Sequence, residues 1–226
     1  MTLIVFSDIH GNIYSLEKAL KEMEKYSPDQ YLFLGDMAGY YYYQNESIEL
    51  LNELECLVSI KGNHDNFFLN ALKDKKLLKP LNRKYGQSYS MLCNDVTDSS
   101  KKFFYNMSDC EKNKFYEAYH GSPHNFLDEY IYKETNIQLQ NEIPFIFLGH
   151  THYPMIKRVK DTIIVNPGSI GQPRDYSYGS FAMVHLEDKK IEHVRYNYPK
   201  SKLINTVKKL KDNEYLYKVL QRKKID

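Results

Sequence analysis

The stretch "FIFLGHTH", residues 145 to 152, passes from four apolar residues through a glycine to two histidines. Four other apolar runs end in the same manner. "LIVFS" leads into Asp8-Ile9-His10-Gly11, "YLFLG" into Asp36, "LVSIKG" into Asn63-His64-Asp65, and "YEAY" into His120-Gly121. Short apolar runs bounded by turn residues read as buried strands. A carboxylate, amide or imidazole at the tip of each of them restricts the fold severely. In open α/β sheets the carboxyl ends of the strands form the ligand crevice, so these tips are expected to converge.

The rest of the chain is consistent with that arrangement. Over the first 65 residues, strand-like and helix-like patterns alternate as βαβαβ, with "SLEKALKEMEKY" and "NESIELLNEL" as the helices, which predicts a parallel sheet with helical crossovers. Residues 66 to 114 are polar and read as mainly helical. The C-terminal half is strand-rich, with hairpins turning at Lys160-Asp161 and Asp188-Lys189. One amphipathic helix, at about 200–222, is expected to close the chain. This order suits two sheets flanked by helices better than one doubly wound sheet. No linker or fixed-period repeat divides the sequence, so residues 1–226 are expected to form a single domain.

Composition narrows the class of partner. With 31 basic and 29 acidic residues the net charge is +2, too small a field to favour nucleic acid or an anionic membrane. The local clusters Lys73, Lys75, Lys76 and Arg222, Lys223, Lys224 read as solvated helix faces or ends. Cys56, Cys93 and Cys110 have no metal-ligand spacing and are odd in number, which predicts free thiols in a reducing cytoplasm. The apolar N-terminal run "TLIVF" is far too short for a signal peptide or membrane span.

The tips share a chemistry. Asp8, Asp36, Asn63, His10, His120, His150 and His152 offer two carboxylates, one amide oxygen and four imidazoles. Such a mixed oxygen and nitrogen set suits Zn²⁺, Mn²⁺ or Fe rather than Ca²⁺. Residues two apart on an extended segment face the same side, which predicts extended backbone at Asp8-x-His10 and His150-x-His152. Seven donors exceed the needs of one tetrahedral ion and suit two ions sharing a carboxylate.

In this order, "SDIHGN", "GDMAGY", "GNHD", "HGSP", "GHTH" and "NPGS" resemble the motif set of the calcineurin-like metallophosphoesterases, most closely the small bacterial and archaeal branch, over residues 2 to about 186. The resemblance implies a four-layer α/β/β/α sandwich of two mixed sheets with a dinuclear centre at one edge. It implies that Asp8, His10, Asp36 and His152 bind one metal, and that Asp36 bridges to a second completed by Asn63, His120 and His150. Mn²⁺ is the expected ion, with Fe, Zn, Ni or Mg as other choices, and a bridging hydroxide is the implied nucleophile. Two divalent ions against two carboxylates leave a cationic centre able to hold phosphate. His64 is expected to face the substrate as proton donor or charge stabiliser, with Asp65 holding its tautomer. Arg174 is expected either to grip a phosphate oxygen or to pair with Asp175 or another acid. "NPGS" is expected to wall the site. The run Tyr40 to Tyr43 offers nucleobase stacking, although 21 tyrosines in the chain also point to compositional bias.

Departures from the motif set bear on the substrate. Protein serine/threonine phosphatases and dinucleoside polyphosphate hydrolases carry "GDxVDRG" and "GNHE"; this chain reads "GDMAGY" and "GNHD", with no arginine after Asp36. The expectation is therefore a small phosphoester substrate and phosphodiesterase activity with some phosphomonoesterase activity. A phosphomonoesterase acting on proteins or nucleotides is the alternative. A repair-type nuclease is disfavoured by the low net charge, and a non-catalytic scaffold by the complete ligand set.

Overall fold

A computed structural model describes residues 1–139 and 142–222. The βαβαβ start forms as expected: β1 (Thr2–Phe6), α1 (Ile13–Met23), β2 (Gln30–Phe33), α2 (Gln44–Asn52) and β3 (Leu57–Ser59). Four helices follow, α3 (Asn63–Lys73), α4 (Leu78–Tyr85), α5 (Ser88–Asp95) and α6 (Asp98–Asn106). Next come the strands β4 (Glu111–Lys112), β5 (Tyr116–Tyr119), β6 (Phe145–Leu148), β7 (Pro154–Val159), β8 (Thr162–Pro167), β9 (Gly179–His185) and β10 (Lys190–Tyr196). They build two mixed five-stranded sheets, in the orders β10-β9-β1-β2-β3 and β4-β5-β6-β8-β7.

Period-two alternation divides the apolar side chains among three cores. Leu3 and Val5 of β1, Phe145 and Phe147 of β6, and Ile163 and Val165 of β8 fill the space between the sheets. From the other face of the first sheet, Ile4, Phe6 and Phe33 pack on the helical layer through Leu16, Met23, Phe68 and Leu203. On the outer face of the second sheet, Ile146, Leu148 and Ile164 meet Ile131 and Ile137, which belong to an irregular segment among the described residues. The helices thus gather over the first sheet. Burial on both faces explains why β1 and β6 read as unbroken apolar runs.

The chain departs from the expected closing helix. It forms α7 (Ser201–Lys209) and α8 (Tyr215–Leu220), separated by a turn in which Lys211 adopts φ 51°. Tertiary bonds at Asp212 override the helical periodicity. Its Oδ2 accepts from the Tyr42 hydroxyl at 2.9 Å and from the Gln87 amide at 2.9 Å. Lys73, Lys75 and Lys76 are exposed as expected. Of the basic tail, Lys223 and Lys224 lie outside the described residues. Arg222 is more than a solvated end, since its guanidinium donates to the Arg174 carbonyl at 3.1 Å.

β1 and β2 are parallel, as are β2 and β3, and β5, β6 and β8 run parallel in the second sheet. The loops after β1, β2, β3, β5 and β6 therefore open toward one edge of the sandwich. No helix among the described residues is long and apolar enough to cross a membrane.

Candidate metal centre

The five tips meet. Single ligand atoms of Asp8, His10, Asp36 and His152 lie within 4.8 Å of one another, and so do those of Asp36, His120 and His150. Asp36 is common to both groups. Its Oδ1 accepts the His64 backbone N–H at 2.8 Å, in the first turn of α3. Its Oδ2 lies 3.3 Å from His120 Nε2 and 3.7 Å from His10 Nε2, between the two groups. The Asn63 carbonyl oxygen joins the second group, 3.2 Å from His120 Nε2.

Three imidazoles are oriented by main-chain carbonyls. His10 Nδ1 donates to Ala38 O at 2.8 Å, His120 Nδ1 to Leu34 O at 2.7 Å, and His152 Nδ1 to Gln172 O at 2.6 Å. A carbonyl can only accept, so each Nδ1 carries a proton, and the rings of His10 and His152, which burial keeps neutral, present their Nε2 lone pairs inward. His10 Nε2 and His152 Nε2 lie 3.4 Å apart, and His152 Nε2 is 3.3 Å from Asp8 Oδ1. Acceptors facing acceptors at these distances repel one another unless a cation sits among them. Both Asp8 carboxylate oxygens and His150 Nε2 are buried with no hydrogen-bond partner. Stranded acceptors of this kind fit divalent metal ions.

The electrostatics express the same crowding. Counting protein groups alone, burial pushes the Asp8 carboxyl up to about 7 and His10 down to about 4, and burial together with His120 takes His150 down to about 3. Burial also acts to raise Asp36, but His120 and His64 outweigh it and hold the carboxylate well below its ordinary range. Burial favours neutral His120; Asp36 overcomes that and draws it up to about 10.

The backbone expectation was wrong. Asp8, His10, Asp36, His150 and His152 adopt φ of 58°, 51°, 64°, 65° and 62°. The pairs separated by one residue are held by left-handed turns, not extended backbone. This conformation costs a non-glycine residue about 1–3 kcal/mol, and its concentration at one site marks function. His150 and His152 fall in different groups of donors.

Surrounding loops brace these turns. Asp65 does not hold His64; its carboxylate accepts from the amides of Asp36 at 2.8 Å, Ala38 at 2.9 Å and Gly62 at 2.9 Å, tying the β2 and β3 tips together. The partner of His64 Nδ1 is the Tyr89 hydroxyl at 2.7 Å, delivered by α5. No sequence signal announces that contact. Burial keeps His64 well below its ordinary value. "NPGS" acts as the expected wall: Asn166 Nδ2 donates to Gly149 O at 2.6 Å, and Ser169 Oγ to Asp8 O at 2.8 Å.

Arg174 does not pair with Asp175, which bonds Arg195 instead. Among the described residues no carboxylate lies within 4.0 Å of the Arg174 guanidinium, and its Nε is buried without a partner. Burial acts to lower its pKa, but Tyr40, Tyr215, Tyr130 and Asp8 act against burial and hold it above the ordinary value. The tyrosine run is structural. Tyr40 stacks on His64 with centroids 4.9 Å apart, Tyr41 donates to Leu216 O at 3.0 Å, Tyr42 reaches Asp212, and Tyr43 lies 3.2 Å from the Thr206 hydroxyl. Its rings and hydroxyls bind the site loop to α7 and α8, leaving little for a nucleobase.

A family model for the calcineurin-like phosphoesterase superfamily domain matches residues 1–189. The chain belongs to this superfamily. Similar in fold is the crystal structure of a metallophosphoesterase from Sphaerobacter thermophilus, 22% identical, covering 98% of this chain and 99% of its own, with a TM-score of 0.81. A hypothetical protein of Pyrococcus horikoshii is similar at a TM-score of 0.83, with 22% identity and 97% coverage of both chains. An uncharacterized protein of Methanocaldococcus jannaschii is 28% identical over 95% of both sequences. Calcineurin-like domains typically bind two divalent metals and usually hydrolyse phosphoesters, and the Asp/His groups here offer a candidate site of that kind.

A close approach of backbone to Asp36 yields a prediction. A Cβ on Gly62 would lie 2.1 Å from Asp36 Oδ1 and 2.5 Å from Asp36 N. Gly62→Ala is expected to displace Asp36, to lower metal content measured by elemental analysis, and to cost about 1–3 kcal/mol by denaturant unfolding. Wild-type metal content in this variant would contradict the packing described.

Proposed function

We propose that residues 1–226 form one phosphoesterase domain that hydrolyses small phosphodiesters with two divalent metals, with secondary activity on monoesters. The observation that carries this reading is the position of Asp36 Oδ2 between two donor groups, both lined with unsatisfied acceptors. On this reading Asp8, His10, Asp36 and His152 hold one ion, and Asp36, Asn63, His120 and His150 the other. Mn²⁺ is the proposed ion, because the donor set mixes oxygen and nitrogen. When bound, such a pair supplies Lewis acidity and lowers the pKa of a bound water toward 7.

The chain's own residues supply the rest. Arg174 offers a guanidinium with no carboxylate partner, suited to a phosphoryl oxygen. Tyr89 can donate to His64 Nδ1, leaving the His64 proton on Nε2 to hydrogen-bond the substrate. Asp65 is a positioning residue, since it fixes the main chain that carries Asp36. The position after Asp36, where protein phosphatases carry arginine, is occupied by Met37, Ala38, Gly39 and Tyr40, which favours a small substrate over a phosphoprotein. The free cysteines Cys56, Cys93 and Cys110 suit a reducing cytoplasm, where we place the protein.

The test is turnover of an aryl phosphodiester by purified protein. Activity should vanish on chelation and return at least in part with Mn²⁺; full turnover by exhaustively metal-free protein would refute the two-metal reading.

His64→Gln should retain metal and lose at least about 10²-fold in rate, the lower end for loss of a general acid or an oxyanion donor. A loss that shrinks for nitrophenolate, which departs without a proton, assigns proton donation to His64. An equal loss for good and poor leaving groups assigns charge stabilisation, and an unchanged rate removes His64 from the reaction.

A further inference from the structure

The irregular segment over the second sheet carries a feature that metal binding does not use. Ile131 is 2% exposed and anchors in the outer core, while its neighbours Tyr130 and Tyr132 are 44% and 40% exposed. Alternation along the segment turns both tyrosines away from the core and toward the site. The Tyr130 ring lies 3.9 Å, centroid to centroid, from the imidazole of His150. Tyr132 follows with its ring nearly parallel, 8° from Tyr130 at 6.1 Å.

The pair is braced from behind. Tyr153 meets Tyr132 edge-on at 6.1 Å, the Tyr132 amide donates to Thr135 Oγ1 at 2.9 Å, and Lys157 Nζ donates to the Lys133 carbonyl at 2.7 Å. Exposed aromatics on a strapped segment retain little conformational freedom to lose when a ligand binds. A cavity of about 270 Å³ opens beside them. Tyr132, Tyr153 and Ile131 form its apolar side, and Lys133, Glu134 and Thr151 also line it. Thr151 is the residue between His150 and His152, so the cavity adjoins the metal centre. Its volume falls just below the roughly 300–1,000 Å³ of drug-sized sites and suits one fragment of a larger ligand.

We propose that this cavity takes a nucleobase, and that the substrate is a nucleotide phosphoester whose phosphate lies between the metals and Arg174. The inference rests on the phosphoesterase reading above and names its substrate class. A planar, weakly polar ring is the ligand that aromatic faces accept with little regard to sequence. The polar groups of Lys133, Glu134 and Thr151 can address the base edge. The tyrosines at Tyr40 to Tyr43 are committed to His64 and the C-terminal helices, whereas Tyr132 and Tyr153 line the cavity and offer it their rings.

The test is equilibrium binding of adenosine 5′-monophosphate and ribose 5-phosphate to the metal-loaded protein by calorimetry. The two probes share phosphate and sugar and differ by the base. The wild type should favour the nucleotide by roughly 5- to 150-fold, the range of one base–aromatic stack. Tyr132→Ala should bring that ratio toward one, and Tyr132→Phe, which keeps the ring, should restore it. Tyr105→Ala, an exposed ring on α6, should leave the ratio as in the wild type. Equal affinity of the wild type for both probes, or an undiminished ratio in Tyr132→Ala, would overturn the proposal. Because the ratio is read from binding, a protein that turned over no ester would overturn the phosphoesterase reading alone, and the ratio would still decide the cavity.

Discussion

The structure depends on the placement of one buried carboxylate. Asp36 receives the first-turn amide of α3 on Oδ1 and faces His10 and His120 with Oδ2. A carboxylate removed from water costs several kcal/mol unless cations or donors replace the lost hydration. Here part of that replacement is main chain and part is the charge of His120, while the neutral rings of His10 and His152 turn lone pairs inward. The site is therefore built for more positive charge than the protein itself provides. Asp65 makes this possible, because one side chain holds the amides of Asp36, Ala38 and Gly62 at once.

The two sheets serve this arrangement. Parallel pairing delivers the β1, β2 and β3 tips from one layer and the β5 and β6 tips from the other, while the inter-sheet core fixes the distance between them. Strain is then stored in the loops. Five donor residues in left-handed conformations persist because Asn166, Ser169 and the carbonyl acceptors of the histidines leave the turns no easier alternative. Rigid elements hold the positions and short loops hold the chemistry.

Much of this was legible in the sequence, for a physical reason. A strand buried on both faces must be apolar, so Phe145 to Leu148 cannot be mistaken for a solvent-facing segment, and histidines placed directly after it require explanation. The same contrast exposes Asp8, Asp36, Asn63 and His120. What escaped detection depends on contacts between distant residues. Nothing near Tyr89 indicates that its hydroxyl will meet His64, and Asp65 beside His64 invites a pairing that the first turn of α3 forbids. The closing helix reads as continuous because apolar spacing runs through Lys211, yet Asp212 is claimed by Tyr42 and Gln87. Left-handed backbone at His150 and His152 leaves no mark in composition, since the residues there are chosen for their donors and not for their turn propensity.

Metal positions test the central claim most directly. Crystals grown with Mn²⁺ should show two anomalous difference peaks about 3.5–4 Å apart, the spacing of two-metal phosphoesterase sites. One should lie among Asp8, His10, Asp36 and His152, the other among Asp36, Asn63, His120 and His150, with Asp36 touching both. A single peak, or two peaks that share no contact with Asp36, would contradict the account.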